Sequence, residues 1–446
     1  MDKTDLLKRV KEDNVKFISY QFTDVTGTVK SLDAPINQLE AAIDRGVWFD
    51  GSSVEGFARI QESDMHLYID PETYAVLPWT PDDMRRARVF CDIYTPDGKP
   101  FQGDPRGELK RYLEEVRKTR GFIFNVGAEP EFFLFRRNGI DNIHPVPHDV
   151  GSYFDFSPND EAVRVRTELM SALNTMGMEI EVGHHEVALG QHEIDFRFSN
   201  ALQAADNVIT LKYTVKAIAA QNNLVASFMP KPVFGINGSG MHCHQSLFSI
   251  EGENLFYEDN DPFNLSQLGY QYIAGQLTHA RSLSAIVSPT INSYKRLVPG
   301  YEAPVYIGWA QTNRSALIRL PRYLKGQKNA LRVELRCPDP SCNPYLAFKA
   351  MLVTALDGVD KQLTCPEPLN NINVYELSKE ERRAMGINDL PSSLSRALDE
   401  LEKNALLKTS LGPVLMEAFM RAKRAECEAY RIQVMDWELN KYLETA

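Results

Sequence analysis

The chain has 446 residues, of which 43% are hydrophobic and 24% charged, enough for about two or three ordinary globular domains. Its net charge of −11 argues against nonspecific nucleic-acid binding, which needs a basic face, and favours small-molecule partners. No apolar run approaches the roughly 20 residues that span a bilayer, the N-terminus lacks a signal core, and the six cysteines contain no C-x-x-C pair. A cytoplasmic protein without a disulfide framework is expected.

In chain order, residues 1–103 predict a small α+β unit. An amphipathic helix over Thr4–Glu12 leads into strand-like runs Val15–Phe22 and Thr28–Lys30, joined by a turn at Asp24–Gly27. A short helix over Ile36–Arg45 follows, then a loop at Asp50-Gly51-Ser52-Ser53, then strand-like runs Leu67–Asp70 and Arg88–Tyr94. The turn formers between Asp97 and Arg106 set a boundary that separates 1–103 from 104–446. Beyond it, helices and strands alternate. Asn159 or Asp160 opens a helix that runs through Ala162–Met176 and stops at Gly177; Ser199 or Asn200 opens another reaching Gln221; a third follows Ser266. Strand-like runs lie at Phe122–Val126, Glu131–Arg136, Ile194–Phe198, Met241–Leu247 and Arg332–Arg336, and the C-terminal part reads as helical and charged.

Charged residues recur two apart in these strands, where they share a face. Glu129 and Glu131 do so, as do His242 and His244, and so do Arg332, Glu334 and Arg336. In His184–Glu193, Gly190 implies two strands joined by a turn, which brings Glu186 towards Glu193. Each pair alone reads as an amphipathic strand with a wet face. Four such segments beside strongly apolar residues favour one shared cavity, because buried carboxylates are costly unless paired or bound to metal.

Glu129, Glu131, Glu186, Glu193 and Glu334 are hard oxygen donors, which suits magnesium or manganese better than zinc. Alternation points Cys243 away from His242 and His244, against a zinc site there. Arg296, Arg314, Arg319, Arg332 and Arg336 offer planar forks for carboxylate and phosphate. There is no P-loop, and Gly235–Gly240 precedes a strand rather than a helix, so it is no dinucleotide fingerprint.

The motifs Phe49-Asp50-Gly51-Ser52-Ser53, Glu129-Pro130-Glu131, His184-His185-Glu186, Gln191-His192-Glu193, Asn237–His242, Lys295–Pro304 and Asn343–Ala347 resemble type I glutamine synthetase, in order and over nearly the whole chain. The resemblance implies an α+β protein: an N-terminal β-grasp-like domain, and a catalytic α/β domain with a curved antiparallel sheet. It implies ATP-dependent ligation of ammonium to L-glutamate, using two or more Mg²⁺ or Mn²⁺ ions. A homo-dodecamer of two hexameric rings is implied, with active sites between subunits, and a nitrogen-responsive transcription regulator is a further conceivable partner. Glu131, Glu186 and Glu193 then match ligands of one metal, and Glu129, His242 and Glu334 those of a second nearer the ATP phosphates. Arg296, Asn237 and Gly238 match the glutamate site; Arg314, Arg319, Arg332 and Arg336 match phosphate-binding positions; Phe198, His244 and Ser246 match positions near base and sugar. Asp50 resembles the group that deprotonates ammonium, with Ser53 and Tyr153 nearby, and Glu302 sits on a lid-like loop.

The chain departs from the family at Leu189, at Ser152 and in the longer stretch Pro321–Leu331, all loop positions rather than ligands. Tyr375 stands where long-type relatives are adenylylated, but Glu376–Lys379 departs from that pattern. The resemblance therefore points to the short type, with Arg59 matching a position implicated in feedback by glutamine. Two other readings share the motifs: ligation of glutamate to a larger amine, and a noncatalytic family member. Intact Asp50 and Tyr153 favour ammonium over the first, and the full ligand set disfavours the second.

Overall fold

The structure, a computed structural model, describes residues 1–52, 54, 64–137, 145–158, 160–313, 315–324, 326–370, 372 and 374–445. Ser53, Arg59, Asn159 and Arg314 lie outside the described residues.

The first sheet contains β1 (Phe17–Thr23), β2 (Val29–Pro35), β3 (Val47–Asp50), β4 (Asp64–Val76) and β5 (Arg86–Tyr94), in the order β2-β1-β5-β4-β3. β1 and β5 run parallel; the other pairs are antiparallel. Helix α1 (Lys3–Glu12), capped by Asp2, and α2 (Leu39–Arg45) bury Leu6, Val10 and Leu39 with Ile18, Leu67, Val89 and Ile93 in one core. Two strands outrun the sequence reading. β2 extends to Pro35 because Leu32 and Ala34 alternate with exposed Ser31 and Asp33. β4 reaches Val76 through a register irregularity between Asp70 and Ala75.

The larger sheet is built on β6 (Phe122–Arg136), with β7 (Ile180–His185), β8 (Gln191–Phe196), β9 (Ser199–Asn200), β10 (Leu224–Ser227), β11 (Met241–Ser249), β12 (Tyr306–Ala310), β13 (Ala316–Arg319), β14 (Val333–Leu335) and β15 (Asn388–Asp389). Its main path is β15-β12-β13-β14-β11-β6-β8-β7, antiparallel among the described residues except for β12 with β13. β6 is one strand where the sequence suggests two. Residues 122–130 pair with β11, and residues 131–133 with β8. Pro130 falls where the partner changes, and Glu131 N donates to Gly240 O at 3.0 Å.

The helices are α3 (Pro105–Arg120), α4 (Val163–Thr175), α5 (Ala201–Gln221), α6 (Gln267–Val287), α7 (Ser293–Arg296), α8 (Pro344–Asp360), α9 (Lys379–Ala384), α10 (Leu394–Lys403), α11 (Ala405–Arg431, kinked at Gly412) and α12 (Asp436–Tyr442). Asn200 and Ser266 cap α5 and α6 as their sequences suggest. α4 starts later than expected, and Asp160 accepts instead from Ala162 N at 2.9 Å.

Several buried contacts fix the small sheet against the large unit, among them two near the start of α8 and of α3. Asn343, the cap of α8, donates to Asp24 O at 3.1 Å. Buried Arg106 at the start of α3 reaches Asp70, Asp92 and Asp206 at 2.8, 2.6 and 2.9 Å, and Tyr345 donates to the same Asp206 at 2.6 Å.

Candidate active site

Adjacent strands converge on one cavity of about 230 Å³. β6 supplies Glu129 and Glu131, β8 supplies Gln191 and Glu193, β11 supplies His242, and β14 supplies Glu334. Glu186 enters from the turn after β7, and Arg319 and Arg336 from the ends of β13 and β14. The alternation that places these side chains inward places Met241 and Cys243 in the apolar core behind them.

The cavity has two electrostatic halves. In one, Glu334 is almost fully buried, accepts from Arg319 Nη1 at 2.8 Å and lies 3.4 Å from Arg336 Nη1. Burial would push its carboxyl up, but His242, His244 and the arginines outweigh burial and hold it below the usual range. Glu129 is likewise held well below that range against burial, chiefly by His244. Arg332 Nε donates to His244 Nδ1 at 3.2 Å, so His244 Nε2 carries the hydrogen donated to Glu129 at 2.7 Å. His242 Nδ1 stands 3.7 Å from both Glu129 and Glu334.

The other half is crowded with like charge. Burial, then the charge of Glu186, pushes Glu131 up to about 8. Burial, with Glu302 adding to it, pushes Glu186 up to about 7. Glu193 rises well above its usual value through burial and Glu131, and Asp195 to about 6 through burial and Glu129. Buried carboxylates that hold protons for want of a counter-charge form a donor set suited to a divalent cation. Ligand atoms of Glu129, His244 and Glu334 lie within 4.8 Å of one another, as do those of His184, Glu193 and Asp195.

Arg296 is buried, with its guanidinium on the carbonyls of Cys337, Pro338 and Arg336 at 2.9, 3.2 and 3.1 Å. Glycine at 240 lets it approach, because a Cβ there would fall 2.5 Å from Arg296 Nη2. Glu302 has a left-handed backbone (φ 57°) and accepts from Asn237 Nδ2 at 3.4 Å. The neighbouring Tyr301 ring lies 3.7 Å from Lys231 Nζ.

Of the residues singled out from sequence, Tyr153, Asn237, Gly238, Arg296, Glu302, Arg319 and Arg336 line the cavity with the six expected metal ligands. His244 joins it through Glu129, and Arg332 through His244. Half-exposed Phe198 and buried Ser246 lie outside its lining. Asp50 also lies outside it, at the end of β3, where its Oδ1 accepts from Ser52 N at 2.8 Å. Three residues are additional. Gln191 Nε2 donates to Glu131 at 2.8 Å and holds that carboxylate in place. Asp195 shares a strand face with Glu193, so the two-apart pattern could have found it. Lys231 carries no such signal, because its contact to Tyr301 depends on two loops meeting.

The described family Glutamine synthetase, catalytic domain, matches residues 102–442, and Glutamine synthetase, beta-Grasp domain, matches residues 14–96. The chain belongs to the glutamine synthetase family. The glutamine synthetase of Methanosarcina mazei is 51% identical over 99% of this chain and 97% of its own. Those of Methanocaldococcus jannaschii and Staphylococcus aureus are 49% and 47% identical, each over 99% of this chain and 98% of theirs. A cryo-EM structure of Plasmodium falciparum glutamine synthetase aligns over 99% of both chains with a TM-score of 0.88 at 25% identity. A structure described as a GmaS/ADP complex aligns over 99% of this chain and 100% of that one, with a TM-score of 0.88 at 31% identity. As a glutamine synthetase, the protein is a glutamate–ammonia ligase that uses ATP and divalent metal. Among the described residues no helix is long and apolar enough to cross a membrane.

Proposed function

We propose that the cavity makes glutamine through γ-glutamyl phosphate. A γ-carboxylate oxygen of glutamate attacks the terminal phosphorus of ATP and ADP leaves. Ammonia then attacks the acyl carbon and phosphate leaves. The observation that carries this reading is the crowding of buried Glu131, Glu186 and Glu193 in one cavity with Arg296, Arg319 and Arg336.

In this reading Glu131, Glu186 and Glu193 hold one cation, and Glu129, His242 and Glu334 a second. The oxygen-rich donor set favours Mg²⁺ or Mn²⁺. When bound, the cations neutralise charge that builds during phosphoryl transfer. Arg296, Asn237 and Gly238 bind the glutamate carboxylate. Arg319 and Arg336, with Arg314, grip phosphate through their planar forks. Arg332, His244, Phe198 and Ser246 flank the nucleotide. Glu302 caps the site, because an acyl phosphate hydrolyses unless water is excluded.

Asp50 takes the proton that ammonium must lose before its nitrogen can attack, with Ser53 and Tyr153 beside the ammonium. Hydrogen bonds from Ser52 hold the Asp50 carboxyl below its ordinary value, and an aspartate is anionic at neutral pH in either case. Its position outside its own chain's cavity supports delivery to a second copy, in an assembly of two hexameric rings. The matches ending at 96 and beginning at 102 support a domain boundary near residue 103. Six free cysteines fit a reducing cytoplasm, and Arg59 is assigned to feedback by glutamine.

Hydroxylamine in place of ammonium tests the intermediate. The expected product is γ-glutamyl hydroxamate, formed together with one ADP. ADP formation without hydroxamate would contradict an acyl-phosphate route.

A further inference from the structure

Behind the carboxylate face lies a second buried polar cluster that the reaction does not use. His192 points away from Gln191 and Glu193 into it, and its Nδ1 accepts from Arg166 Nη1 at 3.0 Å. Arg166 Nη2 donates to Asp160 at 2.5 Å. With Nδ1 accepting from Arg166, His192 Nε2 carries the ring hydrogen, so the neutral ring offers no lone pair to a metal beside nearby His148 and Asp149.

Asp149 is the hub of the cluster. Its Oδ1 accepts from His185 Nε2 at 3.1 Å and from Gly190 N at 2.9 Å, and its Oδ2 lies 2.9 Å from His148 Nε2. His148 Nδ1 in turn donates to Leu134 O at 3.1 Å. The other nitrogen of His185, Nδ1, lies 2.6 Å from Glu186 O. A carbonyl only accepts, so His185 Nδ1 is the donor there. Burial would push the Asp149 carboxyl up, but the close approach of His148 and the hydrogen bond from His185 outweigh it and hold the group well below the carboxylate range.

These bonds bracket the turn between β7 and β8. One carboxylate holds Gly190 at its far end directly, and Glu186 at its near end through His185. Two glycines are fitted to the bracket. Gly190 is left-handed, and a Cβ on it would fall 2.9 Å from Leu134 O. A Cβ on Gly151 would fall 2.6 Å from His185 Nε2. The bracket also holds the neighbouring loop, since Phe154 N donates to His185 O at 3.1 Å and the Tyr153 ring lies edge-on to His184 at 5.7 Å.

We propose that Asp149 is a positioning residue for the divalent-cation site: through His185 and Gly190 it fixes the turn that presents Glu186, and it ties the loop carrying Tyr153 to that turn. The inference rests on Glu186 being a cation ligand. Groups behind a ligand commonly set its orientation, and losing one typically costs about 10–100-fold in metal affinity.

The test is Mn²⁺ binding to the metal-free protein, read from the paramagnetic resonance of free Mn²⁺, on the parent, Glu186→Gln, Asp149→Asn and Gly151→Ala. Asp149→Asn removes the charge but keeps an oxygen acceptor; Gly151→Ala displaces His185 from the other side. Both are expected to weaken the tightest Mn²⁺ class roughly 10–100-fold, with the melting temperature in chelator within a few degrees of the parent. If only one variant folds, it decides. Unchanged Mn²⁺ affinity in a folded variant, while Glu186→Gln loses it, overturns the positioning role and leaves the ligand assignment intact. Failure of both variants to fold also overturns it, since Asp149 then serves the core. Retention of Mn²⁺ affinity by Glu186→Gln removes the ligand assignment, and the inference with it.

Discussion

Glu131 and Glu186 sit where burial and like charge act together. Their carboxyls rise from an ordinary 4.5 to about 8 and about 7. Between those limits the folded protein binds more protons than the unfolded chain, so stability without metal falls as pH rises across that window. Cation binding displaces these protons and reverses the preference. Mg²⁺ is therefore expected to raise the melting temperature more at about pH 8 than at about pH 6, with proton release measurable by calorimetry in buffers of different ionisation heat. A Mg²⁺ increment independent of pH would contradict the crowding described here. Gln191 and Gly240, which both donate to Glu131 Oε2, limit how far that carboxylate can turn to escape its neighbours.

At the scale of elements, the site exists because one long strand changes partners. β6 carries Glu129 on the part paired with β11 and Glu131 on the part paired with β8, so one strand serves both halves of the cavity. The two-apart charge pattern revealed which residues share a face, because side-chain alternation is local. It did not reveal that Pro130 lies within a continuous strand, because the pairing change depends on distant segments. The ends of β2 and β4 lie beyond the sequence reading for the same reason, because β1 and β5 pair with them as far as Pro35 and Val76. Lys231 and Asp149 were illegible, since each acts through a contact with a segment distant in sequence. Helices follow a simpler rule. α6 and α8 approach at Gly275 and Gly358, where a Cβ on Gly275 would fall 2.4 Å from Thr354 O. Gly275→Ala is expected to lower stability by about 1–3 kcal/mol in urea unfolding. A neutral effect would mean that the two helices can separate at no cost.

For the whole molecule, the Arg106 cluster joins strands β4 and β5 to helices α3 and α5, and Tyr345 extends it to α8. Breaking a buried charge cluster from one side leaves uncompensated charges, so Arg106→Met is expected to cost about 3–5 kcal/mol, read in the same unfolding assay. The C-terminal segment exposes Ile432, Val434, Trp437 and Leu443, each more than half accessible. In the assembly proposed above, these residues would be covered by a contact between copies of the chain. Removal of residues 432–446 is expected to reduce the assembly's mass in light scattering; an unchanged mass would place the contacts elsewhere. The most direct test of the central claim is phosphate release by the purified protein with Mg²⁺, ATP and glutamate, comparing ammonium with a panel of larger amines. The expected result is ammonium-dependent turnover yielding glutamine, lost in Asp50→Ala and Glu302→Ala; turnover only with a larger amine, or none with any divalent metal, would contradict it.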